Sequence, residues 1–162
     1  AKLYDRYFRD LYAFLYIKVS SRETAEDLAA DVFFRIWEYI KKGKSVDNVR
    51  ALLYTTARNR AIDYHRKGKT QALDDSFVEQ IVDENSGTEQ HIEEVEARET
   101  LEAALLRIKP EYKEILTLRH IHDLAYAEIA DILGKKNGAV RILAHRALKE
   151  LKKELTSEIP QV

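Results

Sequence analysis

The chain has 162 residues, of which 27 are Lys or Arg and 28 are Asp or Glu, so its formal net charge is −1. It contains no cysteine, which excludes disulfides, thiolate catalysis and cysteine-based metal sites. No apolar stretch approaches the length of a membrane span, so we expect no insertion into a membrane. Only five Gly and two Pro interrupt the chain, and alternating β-type stretches are almost absent. The sequence therefore predicts an all-α protein.

Helical periodicity divides the chain into two blocks that are separated by a polar segment. The first block contains three predicted helices, at about 2–19, 22–42 and 47–67. The segment 68–92 is acidic and carries Ser, Gly, Asn and Gln, which predicts a flexible linker. The sequence thus predicts two small helical domains, 1–67 and 93–156, joined by the linker 68–92.

Four further helices are predicted in the second block. A Glu-rich helix starts near Ile92 and runs to Lys109, and Pro110 suits the first turn of the next helix because it needs no N–H partner there. That helix ends around residues 122–123. A short helix, AYAEIADIL, is followed by Gly134 and by a long basic helix.

Charge is segregated along the chain although the net charge is small. Residues 41–67 carry eight Lys or Arg against two acids, and residues 134–153 carry seven against one. Residues 68–95 carry eight acids against one Lys. Two basic blocks separated by an acidic one indicate two contacts with a polyanion, and uneven charge scatter is the alternative.

The second predicted helix has two unlike faces when its residues are placed about 100° apart. Its broad apolar side, the predicted core face, comprises Ala25, Leu28, Ala29, Val32, Phe33, Ile36, Trp37 and Ile40. A narrow stripe on the other side, here called the acidic stripe, comprises Asp27, Asp31, Phe34 and Glu38, with Arg35 beside it. An aromatic side chain among acids suits the docking of a basic partner helix, and a solvated face with one stray Phe is the alternative.

The third predicted helix follows a basic loop and carries residue types that read or stack on bases. Its predicted inward positions are Val49, Leu53, Thr56, Ala57 and Tyr64. Arg58, Asn59, His65 and Arg66 project to the other side. Arg and Asn pair with guanine and adenine edges, while Tyr and His stack on unpaired bases. Arg60 falls on the apolar side, where Asp63 at i+3 is its expected partner.

The last two helices have the layout of a helix-turn-helix, whose second helix enters a major groove about 12 Å wide. Ala130 is small where the two helices cross, Gly134 accepts the positive φ of the turn, and Val140 anchors the second helix on the first. Asn137 is the expected cap of that second helix. Its far side holds Gly138, Arg141, Ile142, His145, Arg146 and Lys149.

Ile142 is the one apolar residue on this basic side. Against DNA it could touch a thymine methyl, and without DNA it could pack on a neighbouring helix. The sequence leaves both interpretations open.

Three segments, AEDLAADVFFRIW, VRALLYTTARNRAIDYHRK and LAYAEIADILGKKNGAVRILAHRALKEL, together resemble bacterial RNA polymerase sigma factors. The resemblance is to the two-domain, extracytoplasmic-function (ECF) group of the sigma-70 family and covers nearly the whole chain in order. It implies a transcription initiation factor that binds core RNA polymerase and recognises the minus-ten and minus-thirty-five promoter elements. It also implies a cytoplasmic protein whose acidic linker threads toward the RNA exit path.

The resemblance implies a role for each matching residue. The residues implied to contact the clamp coiled coil of the largest polymerase subunit are Asp27, Asp31, Phe34 and Arg35. Those implied to recognise and melt the minus-ten element are Lys44, Asn48, Arg58, Asn59, His65, Arg66 and Lys67. Those implied to recognise the minus-thirty-five duplex are Lys136, Asn137, Gly138, Arg141, His145, Arg146 and Lys149. The flap of the second polymerase subunit and an anti-sigma factor are further implied partners.

One position departs from the family pattern. The family often has Ser or Thr just after the turn, where it caps the recognition helix, and this chain has Lys136. We expect Asn137 to cap the helix instead, which changes the side chains that meet the bases.

Two alternatives come from other classes of protein. A helix-turn-helix regulator that does not join polymerase would account for the second block of helices, but it would have no function for the acidic stripe or the first basic helix. An enzyme would depend on His120, His122 and Asp123, but i, i+2 spacing puts the two imidazoles on different sides of a helix. No nucleophile motif, P-loop or dinucleotide loop occurs, so we expect no catalytic residue, no metal and no cofactor.

Overall fold

The structure is a computed structural model that describes residues 2–68 and 89–158. Seven α-helices make up most of this part, and no strand occurs within it, in agreement with the all-α prediction. The helices are α1 (Lys2–Val19), α2 (Arg22–Lys41), α3 (Val49–Lys67), α4 (Glu89–Arg107), α5 (Pro110–Leu116), α6 (Tyr126–Leu133) and α7 (Asn137–Glu158). A π-helical segment, Thr117–Ile121, continues α5. Residues 69–88 of the predicted linker 68–92 lie outside the described residues, and its last four residues, 89–92, are helical because α4 begins at Glu89.

The chain divides into two compact units, the first built from α1–α3 and the second from α4, α5, α7 and most of α6. Among the described residues, no helix is both long enough and apolar enough to cross a membrane.

In the first unit, each of the three helices packs on the other two. Two side chains set where helices begin, because Ser21 Oγ accepts from the Thr24 N–H (3.3 Å) and Asn48 Oδ1 accepts from the Ala51 N–H (3.0 Å). Small residues on α2 and α3 let the larger side chains of α1 approach closely. The core is formed by Leu11, Phe14 and Leu15 of α1, by Ala25, Ala29, Val32 and Ile36 of α2, and by Leu53, Tyr54, Ala57 and Ala61 of α3.

Three residues that the periodicity places inside are exposed. Trp37 and Ile40 lie on the apolar side of α2, but every residue of that helix from Trp37 onward is exposed. The buried side chains of α2 end at Ile36, so its last turn projects beyond the core of the unit. Tyr64 is exposed for the same kind of reason, since the buried residues of α3 end at Ala61.

In the second unit, α7 packs on α4 and α5. Pro110 occupies the first turn of α5, as predicted, and the chain leaves the helix through the π-helical segment. The His122 N–H donates to the Thr117 carbonyl (3.1 Å), and the backbone turns at Asp123 with a φ of 54°. The fully buried side chains of the unit include Ile115, Leu118, Leu124, Ile129 and Val140.

Candidate functional site

An exposed apolar patch lies on the outer part of α2 and comprises Phe34, Trp37 and Ile40. Phe34 is 57% exposed and Trp37 is 55% exposed, and their ring centroids are 6.3 Å apart. The Lys41 ammonium lies over the Trp37 ring, 4.8 Å from its centroid. Aromatic side chains at an exposed position next to acids form the kind of anchor that protein interfaces use.

Asp31 is already engaged within the protein, unlike Asp27, which is exposed. Its Oδ2 accepts a hydrogen bond from Arg35 Nε (2.9 Å) and lies 2.7 Å from Arg60 Nε on α3. Arg60 also lies 3.6 Å from Asp63, so the predicted i+3 partner is confirmed. The contact with Asp31 joins α2 to α3, and only the tertiary structure reveals it because 29 positions separate the two residues.

Several predicted minus-ten residues are held by contacts within the first unit. Asn48 caps α3 with its side-chain oxygen. His65 Nε2 binds the carbonyl of Lys18 near the end of α1, and the Lys44 ammonium lies 4.9 Å from the Tyr39 ring centroid. These contacts fix the basic loop and the C-terminal half of α3 on the rest of the unit.

The remaining predicted minus-ten residues lie along α3. Asn59, Arg66 and Lys67 are exposed, while Arg58 is half-buried. Two of the cations stand in the last turn of the helix, where they are favoured by the negative end of the helix dipole. The exposed cations can meet a polyanion without further rearrangement of the helix.

The helix-turn-helix is formed by α6, a glycine turn and α7. Ala130 is buried, and Val140 is fully buried on the inner side of α7. Gly134 has a φ of 65°, and the Lys135 N–H donates to the Ala130 carbonyl (2.9 Å), which closes the end of α6 as in a Schellman motif. At the other end of α6, the buried carboxylate of Glu128 accepts from a backbone N–H at Ala125 (3.0 Å).

The prediction that Asn137 caps α7 is wrong. Asn137 is the first helical residue, and the Val140 N–H donates to the carbonyl of Lys136 (3.1 Å), which makes Lys136 the N-cap residue. A lysine side chain has no acceptor, so it cannot satisfy a free N–H of the first turn. The helix therefore begins one residue earlier than a capping Asn137 requires.

All seven residues predicted to read the minus-thirty-five element are exposed. Five of them lie on the side of α7 that is opposite to its buried residues, and these are Gly138, Arg141, His145, Arg146 and Lys149. The other two, Lys136 and Asn137, stand at the N-terminal end of the helix. Ile142, on the same side, is 56% exposed, so the interpretation that it packs on a neighbouring helix is wrong.

Tyr126, the first residue of α6, lies beneath two guanidinium groups that sequence reasoning did not connect with it. The Arg119 guanidinium is 4.3 Å from the Tyr126 ring centroid, and the Arg141 guanidinium is 5.4 Å from it. Arg119 also donates to the Leu124 carbonyl (2.9 Å). The ring therefore links the π-helical segment to the exposed side of α7. No local sequence signal marks this contact, because the three residues stand on different helical elements, seven and fifteen positions apart.

The histidines that an enzyme would use do not form a metal site with their neighbours. His120 is exposed and His122 is half-buried at the end of the π-helical segment. Within residues 2–68 and 89–158, no three His, Cys, Asp or Glu side chains are grouped as metal ligands.

One helical unit has a basic helix beside an exposed aromatic patch, and the other has a basic helix-turn-helix. This is the layout of a DNA-binding protein. Family models agree with this division. The model of sigma-70 region 2 matches residues 3–71, and the model of sigma-70 region 4 matches residues 98–151.

Known proteins give the same result over nearly the whole chain. RNA polymerase sigma factor YlaC of Bacillus subtilis is 33% identical over 156 residues, which cover 95% of this chain and 90% of the relative. The ECF RNA polymerase sigma factor BldN of Streptomyces coelicolor is 29% identical, with 97% of this chain and 60% of BldN covered. The solved sigma factor RpoE of Bartonella quintana, in complex with the anti-sigma factor NepR, has the same fold, with a TM-score of 0.68, 19% identity and coverage of 97% and 96%.

The chain belongs to the ECF group of the sigma-70 family of bacterial RNA polymerase sigma factors. It is therefore a transcription initiation factor and not an enzyme.

Proposed function

We propose that the acidic stripe and the apolar patch of α2 dock this protein on the clamp coiled coil of core RNA polymerase. The observation that carries this assignment is the exposed Phe34, which lies between acidic residues and beside a second exposed aromatic ring. A basic partner helix would cover both rings and meet the carboxylates. A regulator that never joins polymerase would gain nothing from this surface.

Asp27 and Asp31 have different roles in this proposal. Asp27 is exposed and meets the partner directly. Asp31 lies between Arg35 and Arg60, so it acts mainly by holding α2 against α3. Arg35, which is exposed at the edge of the stripe, completes the docking contact.

In the same proposal, α3 and the loop before it bind the minus-ten element. Arg66 and Lys67 meet the phosphates, and Asn59 reads a base edge. Arg58 and Lys44 line the same strand, while Asn48 and His65 hold the loop and the helix in place through their contacts inside the unit.

The exposed side of α7 binds the minus-thirty-five element as duplex DNA. Arg141 and His145 contact bases near the start of the helix, and Arg146 and Lys149 meet phosphates farther along. Since Lys136 stands at the N-cap position, its ammonium and the first free N–H groups of the helix meet the same phosphate. Promoter DNA, core polymerase through clamp and flap, and an anti-sigma factor are thus the proposed partners, and the cytoplasm is the proposed location.

Binding to purified core polymerase tests the docking surface. We expect Asp27→Lys and Phe34→Ala each to weaken binding at least tenfold, because each removes part of a central contact. Asp10→Lys, an equal charge change at an exposed position of α1, is the matched control and leaves binding unchanged. Wild-type affinity in both α2 variants would refute the docking surface, and failure of the unaltered protein to bind polymerase would refute the function.

Binding to duplex promoter DNA tests the division of labour between the units. We expect Arg141→Ala and His145→Ala to weaken binding to the minus-thirty-five duplex and to leave the affinity for core polymerase unchanged. A loss of polymerase binding in Arg141→Ala would contradict the assignment of α7 to DNA.

A further inference from the structure

The exposed side of α7 has an uncharged gap among its cations. Gly138 and Ile142 are one turn apart and lie side by side on this face. A β-carbon added at Gly138 would meet no atom within 4 Å, and the backbone there lies outside the left-handed range that favours glycine. Alanine, which is the better helix former, would therefore fit at this position in the free protein.

The absence of a side chain at Gly138 leaves Ile142 uncovered. Side chains in a helix lean toward its N-terminus, so Ile142 lies over the turn that contains Gly138. Ile142 is 56% exposed. The two residues thus form a patch of bare backbone and apolar side chain, here called the apolar gap.

Cations surround the apolar gap on both sides. With about 100° per residue, Arg141 and Arg146 mark the edges of an arc of about 140°, and the apolar gap lies inside it. His145 and Lys149 lie in the same arc, and all four residues are exposed. A face of this charge fits a polyanion, and Ile142, near the middle of the arc, is placed to meet the base edges.

The major groove offers one apolar group at the base edges, which is the 5-methyl of thymine. We propose that Ile142 selects a thymine in the minus-thirty-five element, and that Gly138 lets that base pair approach the helix backbone. This inference rests on the proposed function of α7. Ile142 is a specificity residue in it, distinct from the cations that supply affinity.

The test uses the full chain with core polymerase and a duplex selected by that complex from a random library. Each thymine in the upstream element is replaced in turn by deoxyuridine, which removes the methyl group and keeps the base pair. At one position we expect deoxyuridine to weaken binding about fourfold, the effect of losing one buried methyl group. Ile142→Ala should weaken binding to the thymine duplex by a similar factor and be insensitive to deoxyuridine at that position.

Ile92→Ala is the matched control, because Ile92 is an equally apolar residue that is 61% exposed on α4. It should bind as the unaltered protein does and keep the response to deoxyuridine. Ile142→Ala should also leave unchanged the slope of log affinity against log salt concentration. Lys149→Ala should reduce the size of that slope by about one, because one phosphate contact is lost. Alanine is a better helix former than isoleucine, so neither substitution weakens its helix through helix propensity.

One outcome would overturn the inference and leave the proposed function standing. It is that Ile142→Ala weakens the thymine and deoxyuridine duplexes by the same factor at every upstream position, so that no position responds differently in the variant and in the unaltered protein. If the complex selects no upstream duplex at all, or if Arg141→Ala binds the selected duplex normally, the proposed function of α7 fails instead.

Discussion

Replacing Asp31 by asparagine tests the ion pair that joins α2 to α3. The Asp31 carboxylate lies 2.7 Å from Arg60 Nε, and the two side chains are 34% and 26% exposed. At an effective dielectric constant of about 20, two charges about 4 Å apart attract by about 4 kcal/mol, and desolvation and side-chain ordering offset most of this. Exposed pairs contribute about 0.2–1 kcal/mol and breaking buried pairs costs about 3–5 kcal/mol. We therefore expect Asp31→Asn to lower the free energy of unfolding of the first unit by about 1.5 kcal/mol.

Urea unfolding followed by tryptophan fluorescence measures this change in the full chain. Trp37 is the single tryptophan and lies in the first unit, so it reports on that unit alone. Asp63→Asn is the matched control, because that carboxylate is 3.6 Å from Arg60 and 46% exposed, and we expect a loss of about 0.5 kcal/mol or less. A double-mutant cycle between Asp31 and Arg60 should give a coupling energy of about 1 kcal/mol or more.

Equal stability of Asp31→Asn and Asp63→Asn, together with a coupling energy near zero, would refute this reasoning. Asp31 would then act only at the surface, as a direct contact with polymerase. Asp27→Asn separates the two roles further, since it should lower polymerase affinity without changing the free energy of unfolding.

Two further predictions concern the second unit. Tyr126→Leu should weaken binding to the minus-thirty-five duplex about threefold to tenfold, because the Arg141 guanidinium loses the aromatic face beneath it, while Tyr126→Phe should bind normally. Fluorescence anisotropy with labelled duplex measures the affinity of both variants. An equal loss of affinity in the two variants would contradict the role of the ring. Gly134→Ala should destabilise the second unit by about 1–2 kcal/mol, since its φ of 65° strains any residue with a β-carbon. Thermal unfolding followed by circular dichroism measures this loss, and Gly134→Asn should lose less.

Local rules predicted the helices and several of their ends. The 3.6-residue period, the first-turn position of Pro110 and the positive φ of Gly134 depend on near neighbours in the chain, so sequence alone carries them. For the same reason, the exposure of the basic side of α7 follows from its periodicity.

The failures of prediction come from contacts between helices. A helical wheel shows which side of α2 is apolar, but not how far its partner helices extend along it. The burial stops at Ile36, so Trp37 and Ile40 keep their apolar character on an exposed surface. The pair between Asp31 and Arg60 was missed because only the packing of α2 on α3 brings the two charges together. These exposed rings and internal charges distinguish the proposed docking surface from an ordinary amphipathic helix.

If Lys136 meets a phosphate as proposed, its place at the N-cap of α7 sets stability against promoter affinity. A positive charge at the positive end of the helix dipole is unfavourable in the free protein, and the first turn gains no hydrogen bond from that side chain. In the proposed DNA complex a phosphate relieves both costs, so promoter DNA would stabilise the folded start of the helix as well as fill its binding surface. Selection for a more stable second unit would then favour Ser at this position, and selection for tight promoter binding would favour the lysine.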